Sequence, residues 1–127
     1  MIDFARLTGC YQRLVADDVS DFLAGEGEAS QDLAIAADVL VYIGDLAPLF
    51  AHCARVMKAG GQFAFSTQRG GDADWMLGAD LRYAHSGAYL RQLAHAHGFE
   101  VALLEEASTR KNAGADVPGL VCVMERL

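Results

Sequence analysis

Asp38 closes the apolar run Leu33 to Ala37, and a carboxylate ending a strand covered on both faces is costly unless it has a task. In open α/β sheets ligands sit at the carboxyl ends of the parallel strands, where Asp38 falls. There it can meet a ligand; alternatively it caps the backbone of its own loop. Asp17 and Asp18 end an earlier apolar run, facing a ligand or capping the next helix, and Asp18 is the better placed to cap. His85 stands just ahead of a helix, and its ordinary pKa near neutrality suits a general base. A histidine at a helix entry can equally make only a local hydrogen bond. Tyr42 can reach the same crevice with a hydroxyl or a stacking face, or sit at the rim of the core. Thr67 and Gln68 end a later strand, where they line a substrate side or make a turn. Arg82 and Tyr83 lead into His85.

Other chemical groups read as ordinary. His95 and His97 are two apart, so on a helix they point in different directions and form no ligand pair. Gly25-Glu26-Gly27-Glu28 fails as a phosphate loop, because its glutamates would repel the ligand. Cys10, Cys53 and Cys122 are odd in number and widely spaced, which points to reduced, packed thiols and to no metal site.

The elements that must position these residues form an α/β pattern. Met1 to Cys10 reads as a short helix and Arg13 to Ala16 as a strand, followed by a short helix from Ser20 or Asp21 through Leu23. Leu33 to Ala37 is a strand of the doubly covered kind. The pattern predicts a helix over Leu46 to Met57, with Leu46, Leu49, Phe50, Cys53, Val56 and Met57 on one stripe, Asp45 as cap, Pro48 in its first turn and Gly60 after its end. Gly60-Gly61 turns the chain into a strand over Gln62 to Thr67, in which Phe63 and Phe65 share one face. Residues 68–82 read as a loop around the single tryptophan, Trp75, long enough to suggest a functional role. Ser86 caps a helix to His97, with Tyr89, Leu90, Leu93 and His97 on one stripe and Gly98 as its stop. Phe99 to Leu104 and Leu120 to Met124 read as an antiparallel hairpin at the sheet edge, joined by a polar connection over Lys111 to Pro118.

The chain has 127 residues, of which 53% are hydrophobic and 21% charged, a globular composition for one domain. Ten basic against seventeen acidic residues give a net charge of −7, which argues against a general grip on nucleic acid. The longest apolar stretch, Leu33 to Ile43, is broken by Asp38 and is shorter than the ~20 residues a membrane helix needs. The first residues hold no apolar signal core. These features predict a soluble, cytoplasmic protein without membrane or nucleic-acid partners.

Four segments resemble the class I S-adenosylmethionine-dependent methyltransferases, and most closely the branch associated with tetratricopeptide repeats. They are AADVLVYIGDLAPLF, VMKAGGQFAFST, RYAHSGAYLRQLAHAHGFEV and VPGLVCVMERL, in the family's order and spacing. The resemblance implies a Rossmann-like sheet with helices on both faces and an antiparallel last strand. It implies S-adenosylmethionine as cofactor and a small molecule or protein as methyl acceptor. By the same resemblance Asp17, with Asp18 beside it, meets the adenine amino group. Ala37, Asp38, Val39 and Leu40 lie at the cofactor's methionine end, and Tyr42, Thr67, Gln68, Arg82 and Tyr83 line the acceptor side. Asp38 and His85 are the candidates for catalysis.

The family's glycine-rich loop after its first strand, and the acidic residue ending its second, have no counterpart here. MIDFARLTGCYQRL resembles the segment just after the second strand, so the chain is expected to be the C-terminal portion of the domain, weak or inactive in binding cofactor alone. In the family's strand order, the two missing strands separate the third from the fourth. At ~4.8 Å per strand their loss opens a gap of ~10 Å. Leu33 to Ala37 then becomes an exposed apolar edge, and homo-oligomers through that edge, strand swapping or collapse of the third strand onto the fourth are expected. The alternatives are a non-catalytic interaction module derived from the same fold and another nucleotide-binding α/β protein.

Overall fold

The computed structural model describes Gly9, Arg13, Val15, residues 18–112 and residues 114–127. The helix expected over Met1 to Cys10, most of the strand expected over Arg13 to Ala16, and Asp17 lie outside the described residues. The first described helix is α1 (Val19–Ala24), and Asp18 is its cap: its carboxylate accepts from the Ser20 and Asp21 amides at 3.0 and 3.3 Å. This satisfies two of the amide donors that a helix start leaves without partners. Arg55 fixes the far end of α1, its guanidinium donating to the Leu23 and Glu26 carbonyls at 2.7 and 2.8 Å.

A β-α-β unit follows. Strand β1 (Gln31–Ala36) runs parallel to β2 (Met57–Arg69). Between them lie a 3₁₀ turn (Leu40–Tyr42) and helix α2 (Ala47–Val56). Leu49, Phe50, Cys53 and Val56 make the buried stripe of α2, the helical spacing expected from sequence. Asp45 accepts from the Ala47 amide at 3.1 Å, and Pro48 occupies the first turn, where its missing N–H costs nothing.

The glycine pair does not do what the sequence suggested. Met57 already belongs to β2, so Gly60-Gly61 lies inside that strand and ends no helix. The register jumps from Gln31↔Met57 to Leu33↔Gln62, leaving Lys58 to Gly61 as a bulge. Gly60 takes φ +83°, the left-handed conformation that favours glycine. Gly61 is needed for space, since a Cβ there would stand 2.9 Å from the Lys58 carbonyl oxygen and 3.0 Å from that of Asp32. Both obstacles are backbone, so Gly61→Ala should destabilise the fold by about 1–3 kcal/mol, read as a lowered urea midpoint with unchanged slope.

The segment expected as an open loop, residues 68–82, contains the short strand β3 (Trp75–Leu77), and β4 (Tyr83–His85) follows directly after it; the two pair antiparallel. β4 also lies parallel to the end of β2 through Gln68↔Ala84 and Arg69↔His85. Helix α3 (Gly87–His97) starts at Ser86, whose hydroxyl accepts from the Tyr89 amide at 3.1 Å, and stops at Gly98, as the sequence indicated. The final hairpin is longer than expected: β5 (Phe99–Asn112) and β6 (Ala115–Arg126) stay paired through Asn112↔Ala115. Only Gly119 to Glu125 of β6 also pair with β2, so the far half of the hairpin leaves the sheet as a two-stranded ribbon.

Among the described residues the strands form one six-stranded sheet, in which β3-β4-β2-β6-β5 are neighbours and β1 joins β2. Phe63, Phe65, Leu120, Cys122 and Met124 form one buried cluster with the stripes of α2 and α3. Within it, Cys53 and Cys122 are buried free thiols, each pushed up to about 12 by burial and so protonated and inert near neutrality. β1 departs from the expectation of a strand covered on both faces. It pairs only with β2 among the described residues, and Leu33 and Ile35 are 52% and 70% exposed. The strand is apolar but not covered on both faces.

Candidate functional site

The carboxyl ends of β1 and β2 carry the candidate residues. Beyond Ala36 the chain passes through Asp38 at φ +56°, an uncommon conformation for a residue with a side chain, tolerated best by Asp and Asn. The Asp38 amide donates to the Ser66 hydroxyl on β2 at 3.2 Å, which pins the turn to the neighbouring strand. Asp38 itself is exposed. The desolvation argument that singled it out from sequence therefore does not hold; its unusual backbone, held by Ser66, is what marks the position. Ala37 is exposed beside it, Val39 is half-buried, and Leu40 is fully buried as an anchor of the 3₁₀ turn.

Tyr42 projects outward from that turn, 62% exposed, with the Arg82 guanidinium 5.4 Å from its ring centroid. This cation–π contact ties the turn to the chain just ahead of β4. Asp18, Val19, Ser20, Val39, Tyr42 and Ile43 together line a cleft of about 450 Å³. The fold thus brings Asp18, Val39 and Tyr42 to one cavity. Asp17 lies outside the described residues. Asp18 reaches the cleft while its carboxylate caps α1.

Thr67, Gln68 and His85 lie deeper and are buried. The His85 Nε2 is 2.8 Å from the Ile43 carbonyl, and its Nδ1 contacts the Thr67 hydroxyl in a short hydrogen bond. A carbonyl only accepts, so Nε2 carries the proton; Nδ1 of the neutral ring then accepts from Thr67. Burial lowers the His85 pKa below its ordinary value, against a smaller pull upward from the backbone of Ile43 and Gly44. Fully buried, with both nitrogens engaged, His85 has no free nitrogen to offer a substrate. The geometry favours a positioning role, in which the ring clamps the end of β2 to the loop after the 3₁₀ turn.

Two positioning residues escaped the sequence reading. The Tyr89 hydroxyl accepts from the Leu46 amide at 3.0 Å and donates to the Asp45 carboxylate at 3.2 Å. Its ring packs 5.5 Å from Trp75 and stacks on His85 at 6.4 Å. Burial raises the Tyr89 pKa, and the carboxylates of Asp45 and Asp74 act in the same direction. In the sequence Tyr89 shows only as part of an apolar stripe, although a buried tyrosine hydroxyl needs a partner. Ser66, the other omission, gave a weak signal as a polar residue between two buried ones on β2. Tyr83 is half-buried in the β3–β4 hairpin, its ring close to Gly44.

No sequence-family model matches the chain, and no curated protein matches it by sequence. Solved structures do match. A SAM-dependent methyltransferase from Methanosarcina mazei superposes over 99% of this chain and 77% of its own, at TM-score 0.76 and 15% identity. The Burkholderia thailandensis 1,6-didemethyltoxoflavin-N1-methyltransferase, solved with bound 1,6-didemethyltoxoflavin and S-adenosylhomocysteine, matches 98% of this chain and 56% of its own, at TM-score 0.75 and 19% identity. The chain has the fold of the SAM-dependent methyltransferases. The cyclase SpnF shares it too, over 98% of this chain and 60% of its own, at TM-score 0.73 and 16% identity. At such identities the likeness carries the methyltransferase fold alone, which hosts more than one reaction. The chain spans less than two thirds of the Burkholderia enzyme and of SpnF.

Proposed function

We propose that this chain is the C-terminal part of a SAM-dependent methyltransferase, of the branch associated with tetratricopeptide repeats, acting in the cytoplasm on a small-molecule or protein acceptor. The observation that carries the reading is the cleft at the end of β1, lined by Asp18, Val39 and Tyr42, in a chain of methyltransferase fold. The donor chemistry suits part of the cofactor: Asp18 and Asp38 are acceptors for amino groups, Val39 and Ile43 offer apolar wall, and Tyr42 offers a ring face. When bound, S-adenosylmethionine would supply an activated methyl group. The chain's own residues would bind, align and exclude water. Asp38 would orient the cofactor's ammonium or an acceptor nucleophile, while Arg82 and Tyr83 shape the acceptor side above the buried Thr67, Gln68 and His85. Among the described residues no helix is long and apolar enough to cross a membrane.

Alone, these residues are expected to bind cofactor weakly. An NMR titration with S-adenosylhomocysteine should shift the amides of Asp18, Asp38, Val39 and Tyr42, and Asp38→Ala should weaken the interaction about tenfold, or roughly 1.4 kcal/mol. Shifts confined to another surface would remove the site assignment. A micromolar dissociation constant by calorimetry would refute the weak-binding part. Among the described residues β1 pairs on one side only and leaves Leu33 and Ile35 exposed, which favours a second reading: a non-catalytic interaction module that self-associates or pairs with a partner through that edge.

A further inference from the structure

We propose, resting on the methyl-transfer reading above, that the acceptor carries an oxyanion, a carboxylate or a phosphate, and that Arg82 grips it. The Arg82 guanidinium stands over the Tyr42 ring, and Tyr42 is part of the cleft wall. A cation–π contact uses the charge of the group and none of its five N–H donors. Among the described residues the guanidinium makes no hydrogen bond and no ion pair, although the residue is half-buried. Other cations are committed. Arg13 pairs with Glu26, Lys58 with Asp32 and Arg69 with Glu106, while Arg55 and Arg126 donate to backbone carbonyls. Arg91 and Lys111 also lack such partners among the described residues, but both are exposed.

The loop ahead of β4 holds Arg82 in place. Its amide donates to the Asp80 carboxylate at 3.1 Å, and its carbonyl accepts from the Gly78 amide at 2.9 Å. Leu81 beside it takes φ +62°, which leucine adopts rarely, and such backbone clusters where a ligand is held. Tyr83 closes on the same turn as Tyr42: a Cβ on Gly44 would stand 2.8 Å from the Tyr83 ring. An arginine fixed at its backbone and at its charged end loses little freedom on taking a ligand. Its planar fork matches two oxygens of a carboxylate or a phosphate. Charge then sorts the ends of the acceptor. The chain carries a net −7, Asp18 lines the cleft, and Asp38 directly precedes its Val39 wall. An oxyanion is turned away from those carboxylates and toward Arg82. The acceptor therefore enters with its anionic end at Arg82 and its nucleophile toward Asp38.

The Nε–Hε resonance of Arg82 reads the site in the wild-type chain. Titrated without cofactor at constant ionic strength, benzoate or phenyl phosphate should move it saturably, and neutral benzamide should not. Arg91, exposed and equally without an ion pair among the described residues, is the internal control and should move little. Tighter binding of phenyl phosphate assigns a phosphate acceptor, and tighter binding of benzoate a carboxylate one. Arg82→Gln should weaken the tighter probe about tenfold or more, with circular dichroism unchanged. Arg82→Lys should weaken it about threefold, since an ammonium keeps the charge and loses the fork. Equal shifts at Arg82 and Arg91, an equal response to benzamide, or an Arg82→Gln affinity within about twofold of wild type overturns the proposal. Failure here leaves the methyl-donor reading to the S-adenosylhomocysteine titration. Failure of that titration, with Arg82 still saturating, leaves an oxyanion site without methyl transfer.

Discussion

Phe50→Ala should cost about 3–5 kcal/mol of stability, enough to unfold a domain of ordinary stability. Phe50 is fully buried on α2 and meets three rings edge-on. Phe63 lies at 5.7 Å, Phe65 at 5.9 Å and Phe99 at 6.1 Å between centroids, with interplanar angles of 68°, 81° and 80°. One side chain thereby joins α2 to the middle of β2 and the start of β5. Removing it leaves a void bordered by three aromatic edges that cannot collapse together without moving the sheet. Phe50→Leu, which retains most of the volume, should lose clearly less. Equal urea midpoints for the two variants would show that the ring cluster is not the keystone of the packing.

His85→Leu should destabilise by about 2–4 kcal/mol, because it strands the buried Thr67 hydroxyl and the part-buried Ile43 carbonyl. A pH dependence distinguishes this from simple loss of packing. Burial holds the folded-state pKa of His85 below its ordinary value of about 6.5. The unfolded chain therefore takes up the proton first as pH falls. The stabilising contribution is complete above about pH 6.5 and is lost progressively as pH drops from there toward the lowered folded value. Denaturation midpoints between pH 8 and 5 should fall in the wild type, and this component should be missing from His85→Leu. A wild-type slope retained in full by the variant would assign the titration to another group.

How far the chain could be read in advance depended on whether a residue's task shows in its neighbours along the sequence. The limits of α3 were legible because Ser86 and Gly98 act locally, and so was the capping by Asp18. The buried stripe of α2 was legible because helical spacing places Leu49, Phe50, Cys53 and Val56 together. Gly60-Gly61 was misread because a glycine after an apolar helix looks the same whether it stops the helix or bulges the next strand; the register of β1 decides between them. β3 and β4 are three residues each, too short for alternation to register. Depth was the main loss at the site. Nothing near His85 in sequence reveals that Thr67 and Ile43 enclose it, and nothing near Asp38 reveals that the surface is open and Ser66 holds its amide.

The ribbon made by the far half of the β5–β6 hairpin has a consequence for how the molecule breathes. Among the described strands, residues 107–112 and 115–118 pair only with one another across the hairpin, while Val121 to Met124 are flanked by strands on both sides. An isolated pair of strands is marginal in water, so amide deuteration should sweep through the ribbon well before it touches the inner half of β6. A protease should nick the chain there first, and the two fragments should stay together, because the strands anchoring each side of the cut remain in the sheet.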